Sequence, residues 1–257
     1  MALSRHRLAV SILGLLAWTA SGAARADRPF GPAETMTWDG KYLGVQVGRA
    51  SMIIGAATQV SGETVWPILG IVKTDPYFVL FPVKNRFVTW YNPVTRLNVG
   101  CEYLVDENHK QRRDRTRYDR AAGKATVVRD RPGEARTEDT YDVHPDAVDL
   151  VSGILKLREK KLAVGDKEEV AVFTGKTDFV LKAEVLRKEA AVEVAAGTFD
   201  TVVVSVEVQF SGKLAAKTLL VSFSDDERHI PVRLDAEFVF GSFVAELATY
   251  QKGISGR

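Results

Sequence analysis

Alternating arginines are the clearest pattern in this sequence that could bind a ligand. Arg113, Arg115 and Arg117 are each separated by one residue, so on a β-strand their side chains would point to one face of the sheet. Arg129 and Arg131 have the same spacing on the predicted neighbouring strand. Because guanidinium groups bind phosphate and carboxylate groups bidentately, these five arginines form our candidate site for an anionic headgroup.

The same arginines also fit a solvated outer face that binds no ligand. Residues 106–120 contain six Lys or Arg and four Asp or Glu, so 6 − 4 leaves a net charge of only +2. Interleaved charges of both signs are typical of an exposed face. The sequence leaves both interpretations open.

Aromatic residues are concentrated in the first third of the chain, among them Trp38, Trp66 and Trp90. In a β-barrel such side chains either line a cavity for an apolar ligand or fill an ordinary core. We therefore include the three tryptophans in the candidate ligand site and keep core packing as the alternative.

The sequence contains no recognised motif for catalysis or for metal binding. It lacks Cys-x-x-Cys, His-Glu-x-x-His, a calcium-binding loop and Gly-x-Ser-x-Gly. Cys101 is the single cysteine and lies in a strand-like alternation, which predicts a buried thiol. Asp225, Asp226 and Glu227 could supply acid–base chemistry, but adjacent acids also favour tight turns. We therefore predict no metal and no cofactor, and an exported hydrolase is the least supported function.

The N-terminal residues have the layout of a secretory signal peptide. Two arginines within residues 1–7 precede an apolar stretch over residues 8–20, and Ala24-Arg25-Ala26 provides small residues for cleavage. The apolar stretch is too short to predict a membrane span. We expect export to the periplasm or cell envelope, with residues 1–26 removed and residues 27–257 retained.

Removal of this signal peptide would change the charge balance. The whole chain has 35 Lys and Arg against 33 Asp and Glu. Residues 1–26 contain three arginines and no acidic residue, so the mature chain has 35 − 3 = 32 basic residues and a net charge of −1. Binding of nucleic acid requires a clear basic excess. We therefore predict no nucleic-acid partner, and no transmembrane span in the mature chain.

Alternation of apolar and polar residues extends through most of residues 27–257, with Gly, Asp and Asn at short intervals. This pattern is typical of β-strands joined by turns. Near residues 145–158, helical spacing of apolar residues predicts one short helix. No linker or low-complexity segment divides the chain. We predict one all-β domain, an antiparallel barrel or strongly curved sheet of about a dozen strands, because curvature and closure protect sheet edges.

Three blocks of residues together resemble one family of exported bacterial proteins. The blocks are Phe81 to Pro93, Asp146 to Gly165, and Ser224 to Val232 followed by Phe240-Gly241-Ser242 and Ala245-Glu246-Leu247. In this order they resemble the DUF3108 family of exported domains, over most of residues 34–250. The Asp-Asp-x-Arg-x-Ile-Pro-Val segment is the most specific part, and His229 stands where that pattern has a second basic residue. The resemblance implies a β-rich envelope protein and brings no reaction, cofactor or catalytic residue.

Two functions from different classes follow from these observations. The first is a non-enzymatic envelope protein that binds a lipid-like or apolar anionic ligand inside a barrel, with arginines at the acidic head. The second is a structural component of an envelope or cell-surface assembly that acts through protein–protein contacts. An apolar cavity near the arginines would favour the first function, whereas a filled interior with an exposed apolar patch would favour the second.

Overall fold

Strands occupy most of the chain, as the alternating pattern predicts. The computed structural model describes residues 28–78, 81–207, 218–238 and 241–254, and the predicted signal peptide lies outside these residues. The described part contains fifteen strands and one α-helix. The strands are β1 (Thr35–Tyr42), β2 (Val45–Ile54), β3 (Thr58–Val60), β4 (Glu63–Thr74), β5 (Lys84–Asn92), β6 (Leu97–Glu107), β7 (Lys110–Asp119), β8 (Lys124–Asp130), β9 (Thr137–Asp142), β10 (Lys167–Phe173), β11 (Asp178–Val194), β12 (Gly197–Glu207), β13 (Thr218–Ser224), β14 (Pro231–Phe238) and β15 (Gly241–Gln251), and the helix is α1 (Leu150–Arg158).

The strands form one antiparallel sheet. Its order is β10-β11-β12-β13-β14-β15-β1-β2-β4-β5-β6-β7-β8-β9, and β3 pairs only with β4. The predicted all-β fold and strongly curved sheet are therefore confirmed. The sheet remains open, because β9 and β10 are its two edges and do not pair with each other.

The predicted helix is confirmed, but it begins at Leu150 rather than near residue 145. Val148 forms a parallel bridge with Val172 of β10, and this extended pairing is incompatible with a helical backbone. The helix starts only after Asp149, whose carboxylate accepts the Ser152 backbone N–H at 2.8 Å and so caps the first turn.

The helix packs on the inner, concave face of the sheet and contacts two of its walls. Leu155 belongs to an apolar cluster with Ile54, Ile68 and Tyr91 of β2, β4 and β5. On the other side, Leu157 belongs to a cluster formed mainly by residues of β10 to β13. Since one helix touches opposite walls, the sheet must curl around it.

Side chains and one loop bridge the gap between the two sheet edges. The rings of Tyr141 on β9 and Phe173 on β10 lie 5.7 Å apart. Arg129 of β8 donates a hydrogen bond to the carbonyl oxygen of Gly175. These contacts close the gap without strand pairing, which explains how an open sheet encloses a core.

Among the described residues, no helix has the length and apolar character needed to cross a bilayer.

Candidate binding site

The helix covers only part of the concave face. It has nine residues, which gives a length of about 14 Å. Strands β4 and β6 have twelve and eleven residues and extend over about 36–40 Å. The helix N-cap, Asp149, accepts a hydrogen bond from Thr89 near the middle of β5. The inner face beyond this point, toward the β4–β5 and β6–β7 connections, therefore lies outside the reach of the helix.

Apolar side chains on this uncovered part of the inner face keep accessible surface. We call this region the recess and define it by one residue from each of five strands. The recess residues are Val72, Phe87, Tyr103, Leu219 and Leu234. Val72 is 40% exposed although it has the same strand parity as the fully buried Ile68. Interior positions with accessible apolar surface are typical of a ligand site rather than of a filled core.

Phe87 and Tyr103 form the floor of the recess. Their ring centroids are 6.1 Å apart, and the Phe87 ring lies against the backbone of Gly70, where a Cβ atom would approach Phe87 Cζ to 2.0 Å. Glycine is therefore required beneath the ring. Burial raises the pKa of the Tyr103 phenol well above its ordinary value, although the side chain retains accessible surface. The Tyr103 ring is therefore half-buried beside Phe87 on the inner face.

A basic groove lies beside the start of β7 and the end of β8, between the β6–β7 and β8–β9 connections. Its volume is about 590 Å³, and we call it the mouth groove. The lining residues are His109, Lys110, Gln111, Arg112, Arg131, Pro132 and Glu134. Three of these are cationic and one is anionic, so the groove favours an acidic group.

The mouth groove and the recess are neighbours along β6 and β7. Tyr103 is the strand partner of Asp114, and Asp114 Oδ2 accepts a hydrogen bond from Arg112 Nε at 2.9 Å. Asp114 Oδ1 is buried with no hydrogen-bond partner among the described residues. An unpaired buried acceptor is uncommon and is typical of a site where a water or a ligand donates the missing hydrogen bond.

The structure does not bring the five predicted arginines together. Arg113, Arg115 and Arg117 share the outer face of β7, as their spacing predicts. The buried Thr116 alternates with them and points to the inner face. Arg129 pairs in register with Asp114 and so points to the inner side.

The reason lies in the strand register, which the spacing of residues within one strand does not reveal. Arg129 is held by Asp139 Oδ2 at 2.7 Å, in addition to its bond to Gly175. Arg131 lies in the β8–β9 connection and lines the mouth groove. Of the predicted arginines, only Arg131 therefore adjoins the groove, and Arg112, which the sequence analysis did not select, joins it there.

The three predicted tryptophans are also separated. Trp66 is 7% exposed and belongs to the cluster around Leu155. Trp38 packs in a different cluster, and its indole N–H donates to the Pro231 carbonyl oxygen at 2.8 Å. Trp90 lies on the outer face over Gly100, where a Cβ atom would be 3.4 Å from its ring. Trp66 is covered and Trp90 faces outward, so neither lines the recess, whereas Trp38 is half-buried on the inner face, in register with Val72 through Ala50.

A buried polar cluster surrounds the helix N-terminus and was missed in the sequence. Asp149 Oδ2 accepts hydrogen bonds from Asn98 at 2.8 Å and from Thr89. Burial raises the pKa of Asp149 and also that of the neighbouring Cys101 thiol. A thiol with a raised pKa carries little thiolate and is a poor nucleophile, so the cluster supports the fold rather than catalysis.

The acidic segment of the β13–β14 connection forms a turn. Asp226 Oδ1 accepts hydrogen bonds from the Ser224 hydroxyl and the Arg228 backbone N–H, both at 2.9 Å. Asp225 instead binds Lys188 at 2.6 Å. The adjacent carboxylates point to different partners. Among the described residues, no group of three His, Cys, Asp or Glu side chains could hold a metal ion.

Comparison with solved structures shows the fold of the chain. It is similar to a β-barrel-like protein of domain of unknown function DUF1849 from Brucella abortus, at 11% identity and a TM-score of 0.57, over 88% of this chain and 99% of that chain. A second structure, described as a "putative lipoprotein" from Parabacteroides distasonis, is 12% identical with a TM-score of 0.33 over the same shares of both chains.

Comparison at the level of sequence identifies the family. No curated protein matches the chain. The family model described as protein of unknown function DUF3108 matches residues 35–248, which include all three blocks that carry the resemblance. The chain therefore belongs to the DUF3108 family.

Proposed function

We propose that the protein is an exported, non-enzymatic binding protein of the cell envelope that holds a lipid-like anionic molecule on the concave face of its sheet. The apolar part of the ligand would lie in the recess, and its acidic group would lie in the mouth groove. Residues 27–257 would act as one β-rich unit after removal of the signal peptide.

The accessible apolar surface of the recess carries this proposal. Burial of apolar side chains is the main driving force of folding, so a core that could be filled by the protein normally is filled. Val72, Phe87 and Tyr103 instead remain partly accessible on the inner face. A bound apolar chain would cover them and gain about 25 cal/mol for each Å² removed from water.

The position of the mouth groove supports the anionic character of the ligand. Arg112 and Arg131 each have one carboxylate partner, at 2.9 Å in Asp114 and 3.4 Å in Glu134. Lys110 and His109 add further donors to the same groove. An acidic head would be attracted there, while Asp114 Oδ1 would accept a hydrogen bond from a hydroxyl group of the ligand.

The proposed location rests on the N-terminal sequence pattern. A basic start, a short apolar stretch and small residues before position 27 are the features of an exported precursor. Lipid-like molecules are abundant in the envelope, so an apolar recess there has candidate ligands.

The test compares two valine-to-tryptophan variants in a binding assay with a fluorescent fatty acid, 11-(dansylamino)undecanoic acid. Val72 on the inner face and Val180 on the outer face are both 40% exposed. Val72→Trp should fill the recess and lower the affinity at least about tenfold, which corresponds to 1.4 kcal/mol. Val180→Trp should bind as the wild type does. Equal binding by both variants would overturn the recess as the site.

A second comparison tests the role of the mouth groove and does not depend on filling the recess. Arg112→Gln should weaken binding of the fatty acid but leave binding of its neutral methyl ester unchanged. Arg187→Gln, which removes an exposed arginine on β11, is the charge-matched control. If the wild-type protein binds neither probe and releases no lipid on solvent extraction after purification from the periplasm, the proposed function is wrong.

A further inference from the structure

The outer face of β2, β4, β5, β6 and β7 carries an exposed surface that the recess does not use. Four aliphatic side chains on this face are unusually accessible: Ile53, Leu69, Ile71 and Leu104 are 48%, 47%, 42% and 40% exposed. The half-buried Trp90 lies beside them. We call these five residues the outer apolar patch. Contiguous exposed apolar side chains are typical of an interaction surface.

Strand register places the patch next to a column of positive charge. Ile53 pairs with Leu69, Leu69 with Val88, Val88 with Glu102, and Glu102 with Arg115. One step along the strands, Ile71 pairs with Arg86, Arg86 with Leu104, and Leu104 with Arg113. The patch and the arginines of β7 therefore form one continuous face, with a side-chain repeat of about 7 Å along each strand.

The charge on this face is clearly positive. Arg113, Arg115 and Arg117 form what we call the arginine column, and Arg86 is exposed on the same side. Glu102 is the acidic residue between them, and it binds both Arg113 at 3.0 Å and Arg115 at 2.7 Å. On the outer face of β5, β6 and β7, these four arginines and Lys84 stand against Glu102, Asp106 and Asp119, so 5 − 3 leaves a net charge of +2, although the mature chain as a whole is close to neutral.

We infer that this outer face docks on a bilayer that contains anionic phospholipids. Interfacial binding needs exposed apolar side chains that enter the headgroup region, together with cations that attract acidic headgroups. The outer apolar patch supplies the first and the arginine column supplies the second. Tryptophan is enriched at membrane interfaces, which fits the position of Trp90 between the two. Acidic residues return on β8, where Asp130 pairs with Arg113, so β8 marks the limit of the docking face.

Vesicle flotation tests this inference with the protein and two matched triple variants. The test variant is R113Q/R115Q/R117Q, and the control is K167Q/K182Q/R187Q on the exposed side of β10 and β11. Both lose three positive charges. With vesicles of phosphatidylglycerol and phosphatidylcholine, each basic residue near the surface contributes about fivefold to binding, so the test variant should partition about 100-fold more weakly. The control should differ from the wild type by less than about threefold, and pure phosphatidylcholine should bind neither strongly.

A second pair of variants probes the apolar part of the same face. Leu69→Ser removes a leucine of the outer apolar patch. The control, Leu186→Ser, makes the same substitution at a leucine on β11 that is 40% exposed. Only Leu69→Ser should weaken vesicle binding.

Several outcomes would overturn the inference. These are equal loss in the test and control variants, equal binding to vesicles without anionic lipid, or no vesicle binding at all. A concentration-dependent dimer that the R113Q/R115Q/R117Q variant abolishes, without vesicle binding, would assign the face to a second copy of the chain instead. Docking does not depend on the recess, so Val72→Trp should still bind vesicles even where it no longer binds a fatty acid.

Discussion

The ion pair between Glu34 and Arg158 should be the most sensitive single contact in the structure. The two side chains are 1% and 0% exposed, and both guanidinium nitrogens Nη1 and Nη2 bind the carboxylate at 2.9 Å. Glu34→Gln keeps the shape of the side chain but removes its negative charge. Breaking a buried pair in this way leaves an uncompensated charge and typically costs about 3–5 kcal/mol.

The surroundings of Arg158 place the expected cost at the lower end of that range. Its guanidinium also donates to the Arg228 carbonyl oxygen at 3.0 Å and to the Pro29 carbonyl oxygen at 3.4 Å. These acceptors remain in Glu34→Gln and partly solvate the charge. We therefore expect a loss of about 3 kcal/mol in the free energy of unfolding, and a fall of about 6–12 °C in Tm for a chain of this size.

Urea unfolding followed by circular dichroism measures this loss. Asp39→Asn is the control, because it breaks the more exposed pair between Asp39 and Arg49, whose side chains are 22% and 53% exposed. Exposed pairs contribute about 0–1 kcal/mol. The double variant Glu34→Gln/Arg158→Met removes both charges and should be more stable than Glu34→Gln alone. A loss below about 1 kcal/mol, or a double variant less stable than the single one, would refute the reasoning.

Three further predictions concern folding. Gly241 has φ +138°, so Gly241→Ala should lower the free energy of unfolding by more than about 1 kcal/mol. Gly153→Ala, where the new Cβ would lie 3.5 Å from Val172, should raise the free energy of unfolding by up to about 1 kcal/mol, because alanine favours a helix over glycine. Urea midpoints that move in the same direction for both variants would contradict this. Because burial raises the pKa of Asp149, the folded state holds this proton more tightly than the unfolded chain. The wild type should therefore lose stability relative to Asp149→Asn as pH rises from about 4, and a difference in urea midpoint that is constant with pH would argue against it. Arg115→Ala should change the free energy of unfolding by less than about 1 kcal/mol, since its ion pair is exposed, and a larger loss in a thermal melt would show that the column stabilises the sheet.

Local patterns in the sequence determined the type of structure. Alternation of apolar and polar residues indicated strands almost throughout, and the family blocks at Phe81 to Pro93 and Ser224 to Val232 indicated the DUF3108 family, which is confirmed. The short helix near residues 145–158 was also visible in the spacing of the apolar residues from Val148 to Leu157. These features depend on neighbours within a few residues, so the sequence contains them directly.

The content of the candidate site depended on contacts that the sequence does not encode locally. Spacing correctly placed Arg113, Arg115 and Arg117 on one face, but only the register of β8 against β7 decided that Arg129 points to the opposite side. The same limit applies to Trp66 and Trp90, which share a residue type and lie on opposite faces of the sheet.

The recess and the buried ion pair show most clearly what local sequence patterns determine and what the tertiary structure adds. Inner-face positions such as Ile68 and Val72 follow one apolar pattern along β4, yet the first is fully buried and the second is 40% exposed. The difference arises because a nine-residue helix covers about 14 Å of a longer concave face. Glu34 and Arg158 are 124 residues apart in the chain and meet only when the sheet has curled around the helix. The sequence thus determined which residues of one strand share a face, whereas the tertiary structure decided which face is the inner one and which inner residues are covered.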